Sequence, residues 1–264
     1  MAFRSLNAAA LARFNSAASA DFLDAYDKFE DEKIRKDRSR LPHKTFAPSQ
    51  LRCDRRSWFR IRGVEPDTIP NPDQTLQFTA DIGTAIHRLV QSNLKELLGD
   101  NWIELSDYLK QLNPEYEYTC TPSQDSLETF LDIVNPPVRC AVDGLIKIDD
   151  DYVLFELKSC DHSTFVDLTG PKQEHIDQIH GYCTLLKLNR VLIMYVDRQY
   201  GQKKCYELKI PSYIHDETWN KFNYVMDMVK KNLAPAGLPY GDKWCTPNYC
   251  PYYKKCKEYG RFDL

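Results

Sequence analysis

Two carboxylates and an amine stand close together in the middle of the chain: Asp143, then Glu156 and Lys158 in the run Glu-Leu-Lys. The segment 138–148 (VRCAVDGLIKI) has the pattern of a strand, the triple aspartate 149–151 that of a tight polar turn, and 152–159 (YVLFELKS) that of a returning strand. Side chains alternate along a strand. Val153, Phe155 and Leu157 therefore share one face, and Leu154, Glu156 and Lys158 share the other. An acid and an amine are held side by side, with Asp143 within reach from the neighbouring strand. Two carboxylates around one point make a hard-cation site, and an adjacent lysine can orient a water bound there. Hydrolysis of a phosphodiester is the chemistry this set suits.

The elements around the hairpin bring further candidates. Asp81 is expected to start a helix in which Ile86, Leu89, Val90, Leu94, Leu97 and Leu98 recur at helical spacing, and His87 lies near its core-facing side. Most helical histidines are structural, yet a metal ligand would have to occupy the same place. After the Glu-Leu-Lys strand, 171–188 is expected to be a helix at the distance of a crossover that packs back on the sheet. Gln178 and Tyr182 are one turn apart on it, and His175 shares their face. Strands are expected at 116–120, 191–197 and 203–210, and a long closing helix at 213–233.

Cysteine supplies a second kind of site. Cys245, Cys250 and Cys256 form a compact set whose prolines, Pro247 and Pro251, turn the backbone so that sulfurs can converge. Three thiolates need a fourth ligand, for tetrahedral zinc or for an iron–sulfur cubane alike. Cys120, Cys140, Cys160 and Cys205 fall in or beside expected strands and Cys183 in a helix, where cysteine is normally a small buried hydrophobe. Cys53 stands apart from the sheet, so as a ligand it would clip the two ends of the domain together. It lies in an expected helix, capped by Ser49 and stopped by Gly63, that carries Arg52, Arg55, Arg56, Arg60 and Arg62 around Trp58 and Phe59. That helix is either a basic patch or a solvated face with two core aromatics.

The chain has 264 residues, 42% hydrophobic and 28% charged, enough for one large core and typical of a soluble globular protein. No apolar run is long enough to span a bilayer. With a net charge of -3, any nucleic-acid contact must come from local basic residues. The first twenty residues are free of acids and have the composition of an organellar presequence; a short surface helix is the reading adopted. No secretory signal is seen, so the compartment is expected to be reducing and cytoplasmic, with the 9 cysteines unpaired. The expected division is a helical extension over 1–48 and a catalytic domain over 49–264, with a cysteine-bearing tail at 241–264.

The order cysteine, helical histidine, aspartate, Glu-x-Lys, Gln-x3-Tyr, then three cysteines resembles the RecB-like branch of the PD-(D/E)XK nucleases that carry an iron–sulfur cluster. This branch includes the CRISPR-associated four-cysteine exonucleases, the nuclease domain of AddB and related phage exonucleases. The resemblance runs from Cys53 to Cys256. It implies an α/β, restriction-endonuclease-like core with a central mixed sheet flanked by helices. It implies that His87, Asp143, Glu156 and the carbonyl of Leu157 bind Mg2+ or Mn2+ and that Lys158 is catalytic. Gln178 and Tyr182 would assist the site and contact the DNA strand. Cys53, Cys245, Cys250 and Cys256 would hold a 4Fe-4S cluster, with structural Zn2+ as the alternative, and Arg52, Arg55, Arg56 and Trp58 would position DNA. Two departures from the family pattern are the x4 gap between Cys245 and Cys250, where x2 is usual, and Val142 in place of a proline before Asp143.

The expectation is a metal-dependent exonuclease acting on single-stranded DNA or duplex ends in recombination, repair or phage replication. A helicase or recombination protein is a possible partner, and the setting is bacterial or a phage host's cytoplasm. Toroidal homo-oligomers occur in the family. The other reading is a nuclease-fold binding or assembly factor working with a helicase or integrase. Intact Asp143, Glu156 and Lys158 weigh against that one. Glu117 is a further acid that the first strand brings forward, with a solvated role as its simpler reading.

Overall fold

The structure, a computed structural model, describes residues 19–38, 43–67, 74–124, 127–239, 241–247 and 249–259. The reading of the first residues as a surface helix lies outside these. The chain divides into two compact units, Met1–Leu41 with Pro70–Thr79 and Pro42–Ile69 with Ala80–Leu264. In the first, helix α1 (Ser19–Arg38) is tied to Gln74, whose Nε2 donates to the Asp27 carbonyl at 3.0 Å and to Asp31 Oδ1 at 3.2 Å.

The second unit is a mixed α/β structure. Its helices are α2 (Asp54–Ile61), α3 (Gln74–Leu98, from Ala80 onward), α4 (Leu105–Leu112), α5 (His162–Asp167), α6 (Gln173–Leu186), α7 (Ser212–Lys230) and α8 (Tyr253–Glu258). Its strands are β1 (Trp102–Ile103), β2 (Tyr118–Pro122), β3 (Thr129–Ile133), β4 (Val138–Val142), β5 (Gly144–Ile148), β6 (Asp151–Cys160), β7 (Arg190–Asp197) and β8 (Lys203–Lys209). A five-stranded sheet has the order β1-β5-β6-β7-β8, and β2, β3 and β4 form an antiparallel meander. All pairs of the larger sheet are antiparallel except β6–β7, whose parallel pairing requires the crossover through α5 and α6.

Both faces of β6 are buried, as an inner strand demands. Val153, Phe155 and Leu157 pack with Ile86, Val90 and Leu94 of α3. Leu154 joins the larger core on the opposite face, which α6 supplies with Ile179, Cys183 and Leu186 and α7 with Phe222 and Val225. The turn from β5 to β6 places Asp149 and Asp150 at φ 52° and 68°, the double left-handed geometry of a two-residue hairpin that aspartate tolerates.

Three expectations are corrected here. Segment 138–148 is not one strand: it breaks at Asp143, with β4 in the small sheet and β5 in the large one. At that break Gln91 of α3 takes the Asp143 carbonyl, and the Asp143 side chain takes the Leu157 N–H of β6 just beyond the last β5–β6 pair. Gly144 follows, with Trp102 so close that a Cβ would meet its ring at 2.6 Å. Helix α3 begins at Gln74 rather than Asp81, and Leu89 and Leu97 lie on its exposed side. Ser49 does not cap the arginine helix. It sits in a 3-10 turn, and α2 starts after Cys53 with Arg52 ahead of it. Its end is as expected: Gly63 is left-handed at φ 66°, its N–H bonds to the Arg60 carbonyl and that of Val64 to the Phe59 carbonyl. This is the paired-bond termination that favours glycine.

Candidate active site

Asp143 is the pivot. It stands where the β5–β6 register, Gly144 opposite Phe155, would place the next residue opposite Glu156. It is 5% exposed. Its Oδ2 accepts the Leu157 N–H at 2.7 Å, and its own carbonyl accepts from the fully buried Gln91 at 2.7 Å. Since the N–H and C=O of a strand residue point to the same side, the Leu157 carbonyl faces the edge where Asp143 lies. On the α3 side, His87 Nδ1 is 3.1 Å from Asp143 Oδ1 and 3.2 Å from Glu128 Oε1. Among the described residues, His87, Glu128 and Asp143 are the group whose ligand atoms all lie within 4.8 Å of one another, close enough to hold a metal ion.

Glu156 and Lys158 occupy the inner strand. Glu156 is 1% exposed, and its Oε1 lies 2.6 Å from Lys158 Nζ. Its Oε2 is buried without a hydrogen-bond partner. Lys158 Nζ also donates to Gln178 Oε1 at 3.0 Å, and Gln178 Nε2 donates to the Tyr182 hydroxyl at 2.7 Å. The one-turn spacing on α6 therefore becomes a relay that fixes the lysine. His175 does not join it: its Nδ1 is 2.7 Å from the Tyr195 hydroxyl.

Charge in this pocket follows from burial and neighbours. Burial raises the Glu156 pKa, the Asp143 charge raises it further, and Lys158 and His87 oppose the rise. Burial alone would depress Lys158, but Glu156 and Asp143 outweigh it and the ammonium is stabilised. His87 behaves likewise. Burial pulls it down, while the hydrogen bonds and charges of Asp143 and Glu128 carry its pKa up to about 10. Its proton thus sits between two carboxylates where a cation would serve equally. His175 goes the other way, depressed to about 3 by burial and by the charges of Lys158 and Lys172.

Glu128 is the residue that sequence reasoning missed. The acid proposed from the first strand, Glu117, is exposed and precedes β2. Glu128 immediately precedes β3, whose pairing of Thr129 with Val142 extends to Glu128 opposite Asp143. Recognising 129–133 (TFLDI) as the partner of β4 would have located it.

The four candidate cysteines come to one place. Cys53, Cys245, Cys250 and Cys256 line a cavity of about 260 Å³, with Arg55 and Tyr252 in its wall. Their sulfurs are not drawn together as tightly as the His87 group. Burial raises the Cys53 and Cys250 thiols, and backbone N–H groups of Arg56 and Leu238 at Cys53, and of Tyr252 at Cys250, oppose it. Arg55 Nη1 lies 3.6 Å from Cys256 Sγ. Donors directed at sulfur suit thiolate ligands rather than thiols. No disulfide joins any of the nine cysteines.

The DNA-contact reading of two residues is corrected by burial. Trp58 is fully enclosed, edge-on to Phe59 and Tyr259, and Arg55 is 1% exposed. The other two are reachable but engaged. Arg52 lies 3.6 Å from both Asp177 and Asp242, and Arg56 Nη1 donates to the Tyr249 carbonyl at 3.5 Å. The helix looks like a basic patch in sequence, yet Arg55 turns in to Cys256 and the Pro235 carbonyl, and Arg56 to the Tyr249 carbonyl. No described helix is long and apolar enough to cross a membrane.

No protein-family model matches the chain, and no curated protein matches it. Among solved structures it is similar to the crystal structure of SSO0001, with 15% identity and a TM-score of 0.45 over 85% of this chain and 92% of that one. It is also similar to the alkaline exonuclease LHK-Exo of Laribacter hongkongensis, with 13% identity and a TM-score of 0.36 over 76% of this chain and 93% of that one. LHK-Exo in complex with dAMP matches at 15% identity and a TM-score of 0.35, over 48% of this chain and 63% of that one. At these scores the likenesses carry no argument about chemistry, which rests on the site itself.

Proposed function

We propose that this chain is a divalent-metal-dependent deoxyribonuclease, an exonuclease acting on single-stranded DNA or DNA ends. The observation that carries this reading is the convergence of buried Asp143 and Glu156 on a lysine held by Gln178, with one Glu156 oxygen unpartnered. A buried carboxylate oxygen without a partner is costly, and a hard cation is the partner that such an oxygen-rich set suits. Mg2+ or Mn2+ fits the donors present: Asp143, Glu156, His87 and the Leu157 carbonyl, with Glu128 added to the set. An imidazole among the oxygens favours Mn2+ more than an all-oxygen site would. When bound, the ion supplies charge that stabilises the phosphoryl oxygens and acidifies water.

The chain's own groups do the rest. Lys158, protonated through neutral pH, orients the attacking water and offsets charge on the phosphodiester. Gln178 sets the direction of the lysine, and Tyr182 sets that of Gln178. Asp143 anchors the backbone of Leu157, so the strand carrying Glu156 and Lys158 cannot slip relative to the break between the sheets.

The cysteine cavity fits a 4Fe-4S cluster in a structural role, held by Cys53, Cys245, Cys250 and Cys256. Structural Zn2+ held by the same four thiolates is the alternative occupant. Roles in recombination, repair or phage replication, a helicase or recombination partner, and a cytoplasmic setting follow from the family resemblance alone.

The test is degradation of end-labelled DNA, linear and circular, with Mn2+. Glu156→Gln and Lys158→Ala should each lower the rate by about a thousandfold with the metal content of the cysteine site unchanged, and circular single strands should resist. Undiminished cleavage by either variant overturns the assignment.

A further inference from the structure

The sheet face that carries Glu156 and Lys158 continues past the acid pocket. Side chains alternate along β6, so Cys160 lies on that face too, and its register partner on β7 is Asp197. Along a strand this is roughly 7 Å beyond Lys158. Asp197 is fully buried. Its Oδ1 accepts the Gln199 N–H at 2.8 Å, and its Oδ2 lies 2.7 Å from His162 Nδ1. An ionised carboxylate only accepts, so Nδ1 carries the hydrogen and Nε2 is the nitrogen left for another partner. Nothing bonds to Nε2 among the described residues, and the His162 side chain is 39% exposed.

Both ends of the short helix bearing this imidazole are pinned. Asp161 caps the start of α5, accepting from the Thr164 N–H at 2.8 Å and from the Ser163 and Thr164 hydroxyls at 2.6 and 2.9 Å. Lys204 of β8 closes its end, with Nζ donating to the Phe165, Val166 and Leu168 carbonyls at 2.7, 3.2 and 2.9 Å. Tyr200 stands edge-on to the imidazole, 4.7 Å between ring centroids, and is 61% exposed. Cations also lie close. Burial raises the Cys160 thiol and Asp161 and Asp197 add to the rise, while Lys172 and Arg198 oppose it. We propose that His162 and Tyr200 form a nucleotide subsite beside the cleavage site, with Nε2 of His162 on a phosphate flanking the scissile one and the Tyr200 ring stacked on a base. This rests on the nuclease reading of the acid pocket. With hydrogen on both nitrogens the imidazole bridges Asp197 and the phosphate. A single strand offers an anionic oxygen and an unstacked base face together, and this place has a partner for each. Asp197 is a positioning residue, which aims the ring without touching DNA.

The experiment measures binding of a labelled single strand to the full chain by fluorescence anisotropy, with Ca2+. The strands carry a neutral methylphosphonate in place of one phosphate at a time, or lack one base at a time. Cleavage of the unmodified strand is followed in parallel with Mn2+. His162→Asn keeps an amide nitrogen where Nδ1 stands, so Asp197 retains a donor, and lacks the outward nitrogen. Tyr200→Ala removes an exposed ring at no cost to the core. Wild type should lose about tenfold in affinity at one methylphosphonate position. His162→Asn should bind the unmodified strand about tenfold more weakly and be indifferent to that position. Tyr200→Ala should lose about as much and be indifferent to removal of one base. Wild-type affinity in both variants overturns the proposal. So does a loss in His162→Asn that leaves the methylphosphonate penalty intact, because the imidazole then acts only through the fold. In either case Mn2+-dependent cleavage by wild type keeps the nuclease reading standing. A wild-type chain that neither binds nor cleaves DNA overturns both.

Discussion

The acid pocket and the cysteine cavity both bury charge, and they balance it in opposite ways. In the acid pocket negative charge is in excess, and protons make up the difference. The His87 proton lies between Asp143 and Glu128, and the Lys158 ammonium lies against Glu156. In the cavity the buried Arg55 side chain lies against the Cys256 sulfur, with Arg52, Arg56, Glu174 and Asp177 also in the wall. The acid pocket is therefore largely self-compensated, and a metal would enter it in exchange for protons. In the cavity Arg55 lies against Cys256 instead, and a metal held by the four cysteines, as proposed, would act as part of the fold. A hydrolytic site must let its ion and water come and go, whereas a clip across distant segments must not.

The sharpest way to break this contrast is to remove Glu128, which belongs to one side of it alone. Glu128→Gln keeps the side-chain shape but takes one of the two carboxylates from the His87 proton. Mn2+-dependent cleavage should fall by about 10- to 100-fold, the usual loss when a group supporting a metal site is neutralised. Metal content at the cysteines should not change. A cleavage rate equal to wild type would place Glu128 outside the site.

That residue also marks where legibility ended. The pair Asp143 and Glu156, the neighbouring Lys158 and the Gln178–Tyr182 turn were readable because each depends on a local period: alternation on a strand, a two-residue turn, or one helical turn. Glu128 depends on the register between β3 and β4, and β3 itself went unread. The break at Asp143 was hidden for a related reason. The sequence 138–148 has strand-forming apolar residues on both sides of Asp143, and only the tertiary partners Gln91 and Leu157 make its middle residue a switch between sheets. Arg55 and Trp58 misled because polarity normally signals solvent. Here a cluster of cysteines and aromatic rings from the far end of the chain covers them. The start of α3 was missed because Leu76 and Phe78 are two apart, a spacing that does not form a helical stripe, and both are exposed.

A pH series tests the exchange of metal for protons more directly. His87 is held up to about 10, against an ordinary 6.5, so through neutral pH a metal must displace its proton. Apparent Mn2+ affinity should therefore rise with pH, by up to about tenfold per unit below pH 10. Stability should move the other way in the metal-free chain. A folded-state pKa raised above the unfolded one contributes stability that is fully present below about 6.5 and is lost as pH rises through about 10. Melting temperature measured with chelator should thus decline across that window, and saturating Mn2+ or His87→Gln should flatten the decline. The iron or zinc content of the cysteine cavity should show no matching trend. A flat Mn2+ affinity across the window would remove His87 from the ligand set.

The smallest expected effect separates the two regions by packing alone. Gly144 adjoins Asp143, and a Cβ there would meet Trp102 at 2.6, 3.1 and 3.3 Å. The indole of Trp102 is rigid and packs with the apolar group shared by β6 and α3, so it has little room to retreat. Gly144→Ala should destabilise the chain by about 1–3 kcal/mol, as other overpacked cores do, and lower the melting temperature by roughly 2–10 °C. Its effect on chemistry should exceed that loss of folded protein, because a shift of β5 moves the Asp143 carboxylate away from the Leu157 N–H it accepts and from His87. Cleavage per folded molecule should fall, with the KM for Mn2+ rising, while metal held at the cysteines stays at the wild-type level. Equal losses at both sites would mean that they share one cooperative scaffold, and that the difference in charge balance does not make them independent.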